Sequence, residues 1–262
     1  MNPFATSSMA AGYATARPPV HAIVLDKVRE AFCGRMRPRR ALDVGCGAGL
    51  STKPLTAFVE HCIGLEPAVS MLKFARTVVP GARFVSGVAE SLPFRSGSID
   101  LMTAAGSLNY VSLNHFFPEA LRVLDRSGCL VVYDYPAGRN FHSSEDLDLW
   151  FGHFRARYPK PPSEALKLTP EILERIVTGF RLGPHEYFET CIKMTCQAYA
   201  AYMMSETNVA RAIREGESEE AIRNWVESTL PPVFDGRERE IVFKGYYACL
   251  EPARGVSSKH FQ

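Results

Sequence analysis

Ala41-Leu42-Asp43-Val44-Gly45-Cys46-Gly47-Ala48-Gly49 is an apolar strand with an acid near its end, followed by glycines at alternate positions. Glycine at 45, 47 and 49 lets the backbone turn sharply and lets a ligand approach it without meeting a side chain. About twenty residues on, the run Cys62-Ile63-Gly64-Leu65-Glu66 ends in a carboxylate placed to take both hydroxyls of a ribose. Together the turn and the distant acid predict a nucleoside site. A dinucleotide fingerprint wants a further small residue and a helix N-terminus aimed at a pyrophosphate, and here that place is Leu50.

Outward from this turn, residues 40 to 135 alternate short apolar runs with helical patterns, as in a parallel sheet with crossover helices. Strands are expected at Ala41 to Gly45, Cys62 to Glu66, Arg83 to Gly87, Ile99 to Ala104 and Cys129 to Tyr135. Between them Met71, Leu72, Ala75 and Val79 fit one helical face, and Phe117, Ala120, Leu121 and Leu124 another. After Tyr135 the alternation stops. Leu147, Trp150, Phe151, Phe154 and Tyr158 form an aromatic helix face introduced by Ser143-Ser144-Glu145-Asp146, and the Pro159 to Pro162 segment reads as a linker. Thr169-Pro170-Glu171 starts another helix, which buries Ile172, Leu173, Ile176 and Phe180. Further strands are expected at Pro184 to Phe188 and Ile241 to Ala248, separated by helical stretches from Thr195 to Arg214 and from Ser218 to Glu227.

The glycines at 45, 47 and 49 with Asp43 before them resemble motif I of the class I S-adenosylmethionine (SAM)-dependent methyltransferases. Gly87-Val88-Ala89-Glu90-Ser91-Leu92-Pro93-Phe94 with Ser98-Ile99-Asp100 resembles the adenine-side loop of the branch containing the ubiquinone and menaquinone biosynthesis enzymes. Leu121-Arg122-Val123-Leu124 and Gly128-Cys129-Leu130 resemble that branch's helix and following strand. One departure is Val88, where the branch has an acid that accepts from the adenine amino group. The resemblance implies an α/β, Rossmann-like, seven-stranded sheet with flanking helices and an antiparallel last strand, plus a helical cap insertion at about 138–168. It implies an N-terminal helical lid at 1–38, a methyltransferase domain at 39–262, and SAM as cofactor with S-adenosylhomocysteine (SAH) as product.

On this resemblance Asp43 orients the methionine amine, while Gly45, Cys46, Gly47 and Gly49 line the cofactor and Glu66 with Pro67 holds the ribose. Met71, Ala89, Glu90 and Ala105 complete the cofactor set. Tyr13-Ala14-Thr15-Ala16-Arg17-Pro18 resembles a segment of small-molecule members that closes over the methionine end. Tyr13 and Arg17, four apart, share a helical face, and a guanidinium suits a carboxylate.

Methyl transfer from a sulfonium needs alignment and exclusion of water more than a strong base. Where a proton must leave, His142, His153 and Tyr110 are candidates, and Asn109, Tyr135, Trp150 and Phe154 are candidate acceptor contacts near the C-terminal sheet edge. The expected reaction is methylation of a small organic molecule at oxygen or carbon, with nitrogen as the lesser option. The alternatives are a catalytically silent SAM-binding partner or regulator, and an RNA or protein methyltransferase.

Composition narrows the field. In 262 residues, 30 Lys and Arg face 28 Asp and Glu, a net charge of +2, and 46% of residues are hydrophobic. That supports one substantial core and gives no grip for nucleic acid; the cluster Arg35, Arg37, Arg39 and Arg40 reads as a solvated strand entrance. No Asp/Asn-Pro-Pro-Tyr motif for nucleobase amines follows the fourth strand, and no His and carboxylate cluster has metal-ligand spacing. The 7 cysteines show no Cys-x-x-Cys pair, as in reduced, buried thiols. With no signal-peptide core or apolar run of about 18 residues, a cytoplasmic, membrane-free monomer or homodimer is expected.

Overall fold

The computed structural model describes residues 16–32, 38–57, 59–161 and 166–253. Five parallel strands form the centre: β1 (Arg40–Val44), β2 (His61–Glu66), β3 (Arg83–Ser86), β4 (Ile99–Ala105) and β5 (Leu124–Asp134). A two-residue β6 (Asn140–Phe141) precedes the long strands β7 (Phe180–Met194) and β8 (Arg239–Pro252). The path is β3-β2-β1-β4-β5-β8-β6, with β7 also on β8. Strand β8 runs antiparallel to β5 and to β7, so the last strand is inserted antiparallel as expected. The eighth strand is β6, which pairs Asn140 and Phe141 with Val242 and Ile241.

Alternate residues of the strands feed two cores, as the period of two requires. From β5, Cys129, Val131 and Tyr133 face a layer that contains α1 (Val20–Ala31) and α2 (Thr52–Leu55). Leu130 and Val132 face the opposite layer, built on α4 (Leu113–Val123) and α6 (Pro170–Ile176). Helix α3 (Val69–Val78) buries Met71, Leu72 and Ala75, as its spacing predicts. On α4 the buried stripe is Phe116, Phe117, Ala120 and Val123, one position off the expected face. Leu121 is left exposed and Leu124 begins β5. Likewise α6, capped by Thr169 accepting from the Ile172 amide, stops at Ile176; Phe180 belongs to β7.

The strands β7 and β8 are longer than the sequence suggested because they pair with one another from Phe180↔Pro252 to Met194↔Arg239. Strand β5 reaches only Asp134↔Tyr246. Beyond that point β7 and β8 continue as a ribbon past the C-terminal edge of the parallel strands. The ribbon's open end carries α7 (Cys196–Met204), α8 (Thr207–Arg214), α9 (Glu219–Thr229) and α10 (Pro231–Phe234). The expected helical stretch from Thr195 to Arg214 is thus two helices, broken at Ser205 and Glu206. Helix α5 (Asp146–Arg157) packs against this group through aromatic rings. Trp150 stacks on Phe154 at 5.5 Å and on Trp225 at 5.7 Å, and its Nε1 donates to Thr229 Oγ1 at 2.9 Å. No helix among the described residues is long and apolar enough to cross a membrane.

Candidate functional site

The turn after β1 is what its glycines demand. Gly45, Gly47 and Gly49 have φ of 70°, 52° and 87°, a region that side chains other than glycine rarely adopt. At Gly45 a Cβ would also lie 2.4 Å from the Ser107 Cβ. The amides of Gly45 and Cys46 both donate to the Leu65 carbonyl, at 2.8 and 3.0 Å, which holds the turn against the end of β2. A Cβ at Gly47 would meet only the Met71 methyl, at 3.5 Å, so this stretch of backbone is bare toward the cavity beside it.

Glu66 closes the turn from the other side. Its carboxylate accepts from the Gly47 amide at 3.1 Å and the Ala68 amide at 3.0 Å. Burial pushes its carboxyl above the ordinary range, and those two amides work against that rise. Asp43 has a different place. It is fully buried and accepts from Ser51 Oγ and Thr52 Oγ1 at 2.6 Å and from Thr103 Oγ1 at 2.9 Å. Burial raises its carboxyl as well, against the three hydroxyls. Asp43 therefore ties β1, β4 and the start of α2 together and does not line the cavity, contrary to the expectation that it would touch a ligand. Gly49 is also off the cavity; a Cβ there would meet Val79 and Ala75 of the α3 region at 3.2 and 3.3 Å.

The cavity lies over the C-terminal edge of β1, β2, β4 and β5 and has a volume of about 1400 Å³. Ligand pockets commonly run about 300–1,000 Å³, so this one has room for two molecules. Gly45, Cys46, Gly47, Glu66, Pro67 and Met71 line one part, with Ala89, Glu90 and Ala105 beside them. Val88 borders it too and is half exposed. One Glu90 oxygen is already engaged, accepting from the Ser112 amide at 2.9 Å. The loop is clamped from α4: Arg122 donates to the Leu92 carbonyl at 2.9 Å and the Phe94 carbonyl at 2.8 Å, while Glu119 accepts from the Leu92 amide at 2.8 Å. Arg122 also pairs with Glu119 at 2.7 Å, which holds the Glu119 carboxyl below its usual range.

The other part of the cavity is aromatic and polar. Asn109 and Tyr135 line it, Asn109 donating to Asp134 at 2.9 Å, and Tyr110 stands at its mouth, 76% exposed. Its remaining rings come from the ribbon, as Tyr187, Phe188 and Tyr246. The expected aromatic contacts Trp150 and Phe154 are instead interior to the cap, where ring-on-ring packing with Trp225 and Tyr158 consumes their faces. His153 is exposed, and His142 borders a separate depression near Arg237 and Glu240. Neither histidine reaches the cavity.

Arg17 lines the cavity wall, paired with Glu206 at 2.8 Å, donating to the Ser205 carbonyl at 3.2 Å and lying 5.0 Å over the Tyr202 ring. Tyr13, its expected partner, lies outside the described residues. Sequence reasoning missed His21, buried on α1 and lining the cavity. Its Nδ1 is 3.0 Å from the Tyr133 hydroxyl and its Nε2 3.0 Å from the Tyr135 hydroxyl. Burial, reinforced by Arg17, pushes its pKa down to about 3. No sequence motif marked it: Arg17 lies before the helix, across Pro18 and Pro19, so the four-residue spacing to His21 carries no shared helical face. No group of three or more His, Cys, Asp or Glu among the described residues could hold a metal ion.

The bare glycine turn beside a buried acid fits an adenosyl group, with a carboxylate at the ribose position and a backbone that no side chain covers. Comparison with known proteins agrees. A family model described as a methyltransferase domain matches residues 42–132. An uncharacterized methyltransferase of Bacillus subtilis, YcgJ, is 33% identical over 37% of this chain and 41% of its own. A demethylmenaquinone methyltransferase of Renibacterium salmoninarum is 32% identical over 39% and 44%, and the 18S rRNA (guanine-N7)-methyltransferase RID2 of Arabidopsis thaliana 28% over 59% and 59%. The chain thus spans about half the length of the curated relatives it matches. Among solved structures, a proposed type II methyltransferase of Anaeromyxobacter dehalogenans shares the fold at TM-score 0.66 and 19% identity, over 83% of this chain and 92% of that one. Motif order and sheet order agree with the family match: residues 42–132 are similar to a methyltransferase domain, and the sheet around them has the fold of such proteins.

Proposed function

We propose that the protein transfers the methyl group of SAM to an oxygen or carbon of a small organic molecule. The observation that carries this reading is the size and division of the cavity, about 1400 Å³ with a glycine-and-acid part and an aromatic part. Bound there, SAM would supply an electrophilic methyl group. Gly45, Cys46 and Gly47 would line it, Glu66 with Pro67 would hold the ribose, and Met71, Ala89, Glu90 and Ala105 would flank the adenosyl group. The Arg17–Glu206 pair offers opposite charges to the methionine carboxylate and ammonium. Asn109, Tyr135 and the ribbon tyrosines would enclose the acceptor and keep water out. Residues 1–38 would serve as lid to a 39–262 domain, with the cap drawing on 138–168 and on α7 to α10. The six cysteines among the described residues are free thiols, which supports work in a reducing compartment such as the cytoplasm.

The test is calorimetric titration with SAM and SAH, with NAD as control, followed by labelled-methyl transfer to candidate acceptors. Saturable SAM binding without transfer would favour the silent binder. The likeness to RID2 favours a second reading, RNA methylation, which predicts retention on heparin at physiological salt. Elution at low salt would remove it.

A further inference from the structure

We propose that Tyr135 and His21 form a proton relay for the acceptor: the Tyr135 hydroxyl takes the proton released on methylation and passes its own to Nε2 of His21. The inference rests on the methyl-transfer reading above. Three observations carry it. Tyr135 and His21 both line the cavity, just after β5 and on α1 respectively. Their atoms are in line, with the Tyr135 hydroxyl 3.0 Å from Nε2 and the Tyr133 hydroxyl 3.0 Å from Nδ1. Both partners of the ring are hydroxyls, which rotate and can either donate or accept.

The last point separates a relay from a packed core histidine. A neutral imidazole donates from one nitrogen and accepts at the other, whereas an imidazolium donates from both. With the proton on Nδ1, the ring donates to the Tyr133 oxygen and accepts the Tyr135 proton at Nε2, and a phenol oxygen that gives up its proton can accept another. After transfer both nitrogens donate, and both phenol oxygens are already in place to accept. No hydrogen bond is lost in either state.

For a hydroxyl acceptor the balance is as follows. SAM, when bound, supplies the methyl group and keeps the electron pair of the broken sulfur–carbon bond. The acceptor oxygen forms the new bond with a lone pair and releases its proton to Tyr135, keeping the O–H electrons. The original Tyr135 proton moves to Nε2, so the positive charge lost from sulfur reappears on His21. A methylated oxygen still bearing its proton is strongly acidic, so a weakly basic imidazole suffices as sink. The groups facing His21 are Tyr133 from β5, Tyr135 just after it and Arg17 from the segment before α1, with Glu206 against Arg17. Arg17 opposes the imidazolium and drives the proton out to water once product leaves.

The test begins without turnover. In the full chain carrying ring-labelled histidine and saturated with SAH, nitrogen NMR should show His21 neutral from pH 5 to 8 with its proton on Nδ1. A proton on Nε2 would overturn the relay, since that nitrogen would then have no lone pair for the Tyr135 proton. Tyr135→Phe keeps the ring and removes the hydroxyl. With hydroquinone as probe acceptor it should lower kcat about 100-fold, shift KM far less, and leave SAH affinity within about twofold. Equal kcat in the variant would also overturn the relay. An unsubstituted protein that binds SAH yet methylates neither hydroquinone nor related hydroxyarenes would count against the methyl-transfer reading, while the tautomer still decides the relay.

Discussion

Glu66→Gln probes the site most directly. In the unsubstituted protein each carboxylate oxygen accepts one backbone amide, from Gly47 or Ala68, and keeps a lone pair for one ribose hydroxyl. The side-chain amide that replaces it has one oxygen and one NH2, so whichever way it turns, its NH2 confronts one of those backbone donors. One ribose hydroxyl then loses a charged acceptor and the other faces a neutral one. A hydrogen bond to a charged group contributes about 1.5–3 kcal/mol and a neutral one about 1 kcal/mol, so replacing two of the first by one of the second loses about 2–5 kcal/mol. At 1.4 kcal/mol per tenfold, the Kd for SAH should rise about 30- to 4000-fold. The same substitution removes a pH dependence. Ribose donors favour the carboxylate, so in the parent SAH affinity should fall as acid protonates a carboxyl whose range burial has raised. For stability the sign is opposite. A raised folded-state pKa gives a contribution that is full in acid and is lost as pH rises through that pKa. Calorimetry at pH 7.5 and pH 5 reads the binding effect, and a Kd within twofold of the parent at pH 7.5 would refute the assignment of Glu66 to the ribose.

Gly45→Ala combines a positive φ with a 2.4 Å approach to Ser107; we expect a loss of about 2–4 kcal/mol in urea unfolding. Gly81→Ala, with no atom within 4 Å, should change little. Phe154→Ala should cost about 3–5 kcal/mol of stability yet leave SAH affinity within threefold, because the ring is sealed inside the cap; a larger affinity loss would return it to the site. Arg122→Ala should speed amide exchange in residues 88–94 and weaken SAH binding several-fold, since the carbonyls of Leu92 and Phe94 lose their clamp. Unchanged exchange there would show that the loop holds itself.

The glycine-and-acid part of the cavity was legible because its geometry is local. A glycine turn, an acid at the end of the next strand and the adenine-side loop are each short runs whose residue types are set by backbone geometry. The aromatic part was not, because it is built from pairings that a linear pattern does not report. Nothing in Pro184 to Phe188 says that β7 continues to Met194; that follows from its pairing with a strand beyond four intervening helices. Aromatic spacing on α5 marks a face but not what covers it, and Trp225 from a distant helix covers it here. Leu121 shows the same limit: Phe116, Phe117, Ala120 and Val123 make an equally good stripe, and only contact with the sheet chooses between them. His142 and His153 drew attention as histidines near the sheet edge, whereas His21 sits before the first strand, where no motif pointed.

Because Met194 and Arg239 are cross-strand partners, the forty-odd residues between them leave and re-enter the sheet at one place. That segment behaves as a cassette. Its two ends are held by strand pairing that does not depend on its length, and the glycine turn and Glu66 lie far from it in the chain. The architecture thus keeps the glycine turn and Glu66 apart in the chain from the helices at the open end of the hairpin, which meet the cavity through Glu206 and Thr207.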